Sequence, residues 1–107
     1  MAQRVWIIYD LGVDGDYEGL YAWLDSNKAV ECGSGGASFL IQAPANAVFE
    51  FVKKSLKHAV TLRSRDRIYV VCRDVRGKWL GKFMFGGRKR APWIGYAAGA
   101  EATIDEG

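Results

Sequence analysis

Sulfur and imidazole are scarce in this chain: it has two cysteines, Cys32 and Cys72, and one histidine, His58. Two cysteines roughly forty residues apart with a single histidine show none of the paired ligand spacing of a zinc site. Nor can they build the disulfide framework of a small secreted domain, and buried thiols are the simpler reading. One histidine leaves one candidate for a histidine general base. Its place near a helix end among lysines suits the helix dipole better than catalysis, and neither Ser-His-Asp nor Cys-His chemistry has a motif. No apolar run approaches the roughly 18 residues of a spanning helix, which argues against a membrane-embedded role. Met1 to Arg4 leads straight into Val5 to Tyr9 and then Asp10, an apolar stretch too short for a signal-peptide core. The expectation is a cytoplasmic protein.

What is present suffices for one hydrophobic core. Of 107 residues, 50% are hydrophobic and 25% charged, enough apolar material to fold without disulfides or metals. A single domain over residues 1–107 is expected, with 86–107 a tail. The net charge of +3 hides an asymmetry. Residues 1–52 carry two basic and seven acidic side chains, a net −5. Residues 53–90 carry thirteen basic side chains against Asp66 and Asp74, a net +11, and the remainder is −3. A block this basic is either a surface for phosphates or charge dispersed over solvated faces.

Val5 to Tyr9 is continuously apolar and rich in β-branched and aromatic residues, the pattern of a central strand covered on both faces. Gly12 to Asp16 forms a loop that ends with Asp16 or Asp14 capping a helix, on which Tyr17, Leu20, Tyr21 and Leu24 share one face and which stops at Ser26-Asn27. Ala29 to Cys32 and Ala37 to Gln42 read as a hairpin around Gly33-Ser34-Gly35-Gly36. Pro44 and Asn46 open a second helix with an apolar stripe of Val48, Phe49, Val52, Leu56, Ala59 and Val60, while Lys53, Lys54 and Lys57 point mostly outward. Ile68 to Cys72 and Trp79 to Phe85 are further strands joined by a turn at Arg73 to Gly77. This order is βαββαβ with an extra C-terminal strand: an α+β, ferredoxin-like sandwich with an antiparallel sheet and both helices on one face. The apolar Trp93 to Tyr96 segment is expected to dock on its own sheet or a partner's.

Asp10 is the leading candidate for chemistry, because it ends the central strand where carboxylates emerge at a sheet rim. Mg²⁺ is satisfied by one or two carboxylates with water and a substrate phosphate, and Asp14 and Asp16 lie close enough to assist. The competing reading is ordinary turn chemistry, with Asp10 bonded to its own loop and Asp16 capping the helix. The Gly33 to Gly36 run can cradle a phosphate in principle, yet it lacks the Lys and Ser/Thr of a P-loop and leads into a strand, which favours a hairpin turn. Arg63, Arg65 and Arg67 precede one strand, and Arg88-Lys89-Arg90 follows the next across a hairpin, so both clusters can share an edge. Trp79 and Phe83, or Trp93 and Tyr96, would supply stacking faces beside these cations, the combination used for single-stranded nucleic acid. Aromatics in strands are otherwise core residues.

The strand Trp6-Ile7-Ile8-Tyr9-Asp10, the segment Ser38-Phe39-Leu40-Ile41 and the late Asp66-Arg67-Ile68-Tyr69-Val70-Val71 together resemble the CRISPR-associated Cas-two proteins, whose scaffold VapD-type toxins share. The resemblance spans roughly residues 4–85. It implies a ferredoxin-like homodimer and carries over Asp10 alone, as a metal-binding carboxylate facing its symmetry mate. Family members include metal-dependent nucleases and non-catalytic adaptors of spacer integration. The acidic, glycine-rich loop after Asp10, the Gly33 to Gly36 turn and the 93–107 tail have no counterpart in that pattern. The expectation is therefore a small homodimer that binds DNA or RNA through Arg63, Arg65, Arg67, Arg88, Lys89 and Arg90, with Asp10 and Mg²⁺ giving endonuclease activity. The rival is a non-enzymatic interaction domain for a protein or small ligand.

Overall fold

The structure, a computed structural model, describes residues 2–97. The elements run β1 (Ala2–Asp10), α1 (Tyr17–Ser26), β2 (Val30–Glu31), β3 (Gly36–Gln42), α2 (Val48–Ala59), β4 (Arg67–Arg73) and β5 (Trp79–Phe85). One sheet of order β2-β3-β1-β4-β5 contains every strand, and every neighbouring pair is antiparallel. This is the ferredoxin-like arrangement, with β5 added beside β4.

Strand alternation decides what lies where, because successive side chains point to opposite faces. Val5 and Ile7 of β1, Ala37, Phe39 and Ile41 of β3, and Ile68, Val70 and Cys72 of β4 are buried on the face that both helices cover. Leu20, Trp23 and Leu24 of α1 and Val48, Val52 and Leu56 of α2 complete this core. Trp23 packs edge-on against Phe39 with ring centroids 5.1 Å apart, and its Nε1 donates to Ser55 Oγ at 2.7 Å, tying α1 to α2. The last strand adds a bulge opposite Ile68 and Tyr69. Two consecutive residues, Met84 and Phe85, thereby pack on the core while Phe83 lies across from Tyr69.

Three local expectations change. First, β1 is central but covered on one face only: Trp6 is 39% and Ile8 55% exposed. Two helices fill a single layer, so the alternate residues of β1 have nothing above them. Second, α2 is not opened by Asn46. A turn closed by Ala47 N–H donating to Pro44 O comes first, and the helix starts at Val48 without a side-chain cap. Third, Trp93 to Tyr96 is not buried against its own sheet: turns run from Pro92 to Gly95, and Trp93 is 71% and Tyr96 73% exposed. The part of the tail at 98–107 lies outside the described residues. No helix among the described residues is long and apolar enough to cross a membrane.

Candidate functional site

The uncovered sheet face gathers the aromatic side chains that strand periodicity sends away from the helices. Trp6 of β1, Tyr69 of β4, and Trp79 and Phe83 of β5 share it, with Ile8, Val71 and Leu40 between and beside them. Trp6 and Trp79 meet across the small Val71 with centroids 5.1 Å apart, and Tyr69 and Phe83 meet at 4.9 Å. Gly81 makes the second pair fit. A Cβ there would run into the Tyr69 ring and its hydroxyl, so this position lets the ring lie flat over β5.

Guanidinium groups are interleaved with these rings. Arg73 stacks over Trp79 at 4.7 Å from the ring centroid, and Arg88 stands 5.6 Å from the centroids of both Tyr69 and Phe83, within cation–π reach. Arg4 donates from Nη1 to Ser38 Oγ at 3.2 Å on the same face. Arg67 lies opposite Asp10 in the β1–β4 register, and its Nη2 donates to Asp10 Oδ2 at 2.7 Å. Its Nε is buried without a partner. Among the described residues Asp10 is the one acidic strand residue on this face, and Arg67 balances its charge. The face is thus aromatic, apolar and cationic together.

The expected basic cluster is only partly assembled. Arg67 and Arg88 join the aromatic face. Arg63 and Arg65 sit in the loop before β4, where they line a cleft of about 220 Å³ with Gly12 to Gly15, and Lys89 and Arg90 are exposed beyond β5. Arg73, which charge clustering alone did not single out, lies closer to a ring, and Arg4 shares the face; their positions in strand registers carried that signal. Of the two proposed aromatic pairs, Trp79 and Phe83 are on the face beside arginines.

No family model, curated protein or solved structure matches the chain.

The acidic candidates separate. Asp16 caps α1, accepting from Gly19 N–H at 2.9 Å and from Thr61 N–H at 2.8 Å. The Thr61 bond, then the Gly19 bond, hold its carboxyl below the usual range. Asp14 is exposed in the loop, and Asp10 is exposed but engaged by Arg67. Among the described residues no three metal-ligating side chains converge. A Mg²⁺ ion at Asp10 would have to compete with Arg67 and draw its other ligands from water, phosphate or a second chain. The glycine run is a hairpin turn, with Gly33 (φ +93°) and Gly35 (φ +82°) in left-handed conformations and Gly35 O accepting from Tyr9 N–H at 2.8 Å.

One charged residue missed as a structural element is Asp66. It is 1% exposed, and its two carboxylate oxygens accept from Gly12 N–H at 2.8 Å and Arg63 N–H at 2.9 Å. It clamps the loop that leaves β1 to the loop that enters β4. In sequence it was one acidic residue inside a basic run, and nothing local marked it as buried.

Proposed function

We propose that the open sheet face binds single-stranded nucleic acid by stacking bases on Trp6, Tyr69, Trp79 and Phe83 and holding phosphates with Arg4, Arg73 and Arg88. The observation that carries this reading is the joint placement of four rings and these arginines on the one layer that the fold leaves bare. Unpaired bases offer flat π-faces to such rings, whereas the bases of a duplex are already stacked. Charge also favours an anionic occupant, since two such faces pressed together would oppose like charges. Arg63, Arg65, Lys89 and Arg90 would extend the track for the backbone beyond the sheet.

The direct test is fluorescence anisotropy with labelled single- and double-stranded DNA and RNA at about 50 and about 200 mM salt, with the same samples then run on a gel. Salt-sensitive binding that prefers single strands is expected. Trp79→Ala should weaken it by roughly 5- to 150-fold, the 1–3 kcal/mol of one stacked base, without changing the salt slope. Arg73→Ala should instead lower that slope by about 0.7, one released counterion on a single strand. Equal affinity of wild type and Trp79→Ala would reject the platform, and absence of binding at low salt would turn the face over to a protein partner.

A nuclease is the second reading, favoured by the exposed Asp10 carboxylate at the rim of the same face. Cleavage that EDTA stops and Asp10→Asn abolishes would support it; binding without cleavage would leave an adaptor. Dimerisation belongs to the same proposal. Among the described residues β5 is an edge strand of seven residues with no strand on its outer side, and pairing with a second copy would cover that side. A solution mass near twice that of one chain is expected.

A further inference from the structure

Away from the aromatic face, at the end of β1 and on its helix side, three tyrosines form an open corner. Tyr9 of β1 meets Tyr17 and Tyr21 of α1 with ring centroids 6.5 and 6.3 Å away, and Tyr17 and Tyr21 are 5.5 Å apart. The three planes are inclined to one another by 54° to 74°. They line a cleft of about 410 Å³ with Asp10, Ser34 and Gly35. Tyr9 and Tyr17 are half-buried against the core, whereas Tyr21 is 53% exposed and the cleft opens to solvent.

Three facts narrow the ligand. Among the described residues no lysine or arginine lines the cleft, and the guanidinium nearest its lining, Arg67, is already paired with Asp10, so a phosphate or carboxylate would find no free counter-charge. Two carboxylates lie near it, one of them paired with Arg67. Asp10 is in the lining, with Oδ2 held by Arg67 and Oδ1 accepting no hydrogen bond among the described residues. Glu31 lies near enough to Tyr9 to disfavour ionisation of its phenol, adding to the larger effects of burial and of Tyr21. Finally, three mutually inclined rings at these separations put a guest in the corner at roughly 4–5 Å from each ring, inside the ~6 Å reach of a cation over an aromatic face. A primary ammonium gives up strong hydration to enter such a corner and needs three acceptors, while a methylated ammonium is weakly hydrated and meets the rings directly.

We propose that the Tyr9, Tyr17 and Tyr21 corner is a binding site for a methylated ammonium group. The group could be carried by a free small cation or by a methylated lysine side chain. Proton NMR of the tyrosine rings distinguishes these sources and tests the site, with Tyr69 and Tyr96 as internal controls. The probes are choline, its neutral carbon isostere 3,3-dimethylbutan-1-ol, and a short peptide containing trimethyllysine. Choline should shift the Tyr9, Tyr17 and Tyr21 resonances with millimolar affinity, at least about tenfold tighter than the isostere. Tyr21→Leu and Tyr17→Leu should each weaken it about tenfold, in variants whose amide spectra remain folded. Equal affinity for peptide and choline indicates a free cation; a tenfold preference for the peptide indicates a lysine side chain. Trp79→Ala should leave choline binding unchanged, which separates this site from the nucleic-acid face. Unshifted tyrosine rings at about 50 mM choline, or equal binding of the neutral isostere, would overturn the proposal.

Discussion

Replacing Asp66 with alanine should cost more stability than any other single change at a charged residue of this protein. Both carboxylate oxygens accept backbone N–H groups from loops 54 and 3 residues away in sequence, at 2.8 and 2.9 Å, and the side chain is buried. A hydrogen bond to a charged acceptor contributes roughly 1.5–3 kcal/mol, and a buried donor left without an acceptor costs a similar amount. Water can reach the partly exposed Gly12 and recover some of that loss, so about 3–5 kcal/mol is expected for Asp66→Ala. For a domain this size that is a large fraction of the ~5–15 kcal/mol available, and it corresponds to a fall in Tm of roughly 12–40 °C. Asp66→Asn keeps one acceptor oxygen but turns an NH₂ toward the other donor, and should lose about half as much. Urea unfolding followed by tryptophan fluorescence, with far-UV circular dichroism alongside, is a suitable assay, because one of the four tryptophans, Trp23, is buried against Phe39 and reports the core. The midpoint should drop with the slope unchanged. An Asp66→Ala protein within about 0.5 kcal/mol of wild type would refute the clamp, since that is the scatter of ordinary surface substitutions.

Three further outcomes follow from local geometry. Asp16→Ala should destabilise α1 and its tie to Thr61. Because the folded carboxyl of Asp16 is held below its unfolded value, its contribution is present above the unfolded pKa and is lost as pH falls through the folded one; acid titration of the variant should therefore lack a step that wild type shows. Cys72 is buried and its thiol is pushed up to about 11 by that burial, so a thiol reagent at neutral pH should label Cys32 alone until the protein is unfolded, and labelling of native Cys72 would contradict the packing of β4. Gly81→Val should displace the Tyr69 ring from β5 and weaken single-strand binding while leaving the core intact; unchanged affinity and unchanged Tyr69 chemical shifts would show that the ring does not need this approach.

The extent to which sequence reading succeeded varied with the range of the interaction. The helices, the hairpin around Gly33 to Gly36 and the central place of β1 follow from periodicity and turn chemistry, which act within a few residues. Asp16 as a helix cap was one of two readings, and its bonds to Gly19 and Thr61 choose between it and Asp14. The pairing of Asp10 with Arg67 depends on the β1–β4 register, a contact across 57 residues. The burial of Asp66 depends on two loops meeting, and the tyrosine corner on how α1 lies over the end of β1.

Residue order by itself determined the elements, their ferredoxin-like succession and the asymmetry between an acidic first half and a basic second half. Those properties are additive over short windows and need no knowledge of neighbours. Only the tertiary structure decided that the apolar run of β1 would have one wet face, because burial on both sides requires a second layer and the chain has helices for one. The same fact brought Trp6, Tyr69, Trp79 and Phe83 from three strands onto that face beside Arg73 and Arg88. Strand alternation fixes which residues share a side, but the register between strands fixes which rings touch, and register is a property of the assembled sheet.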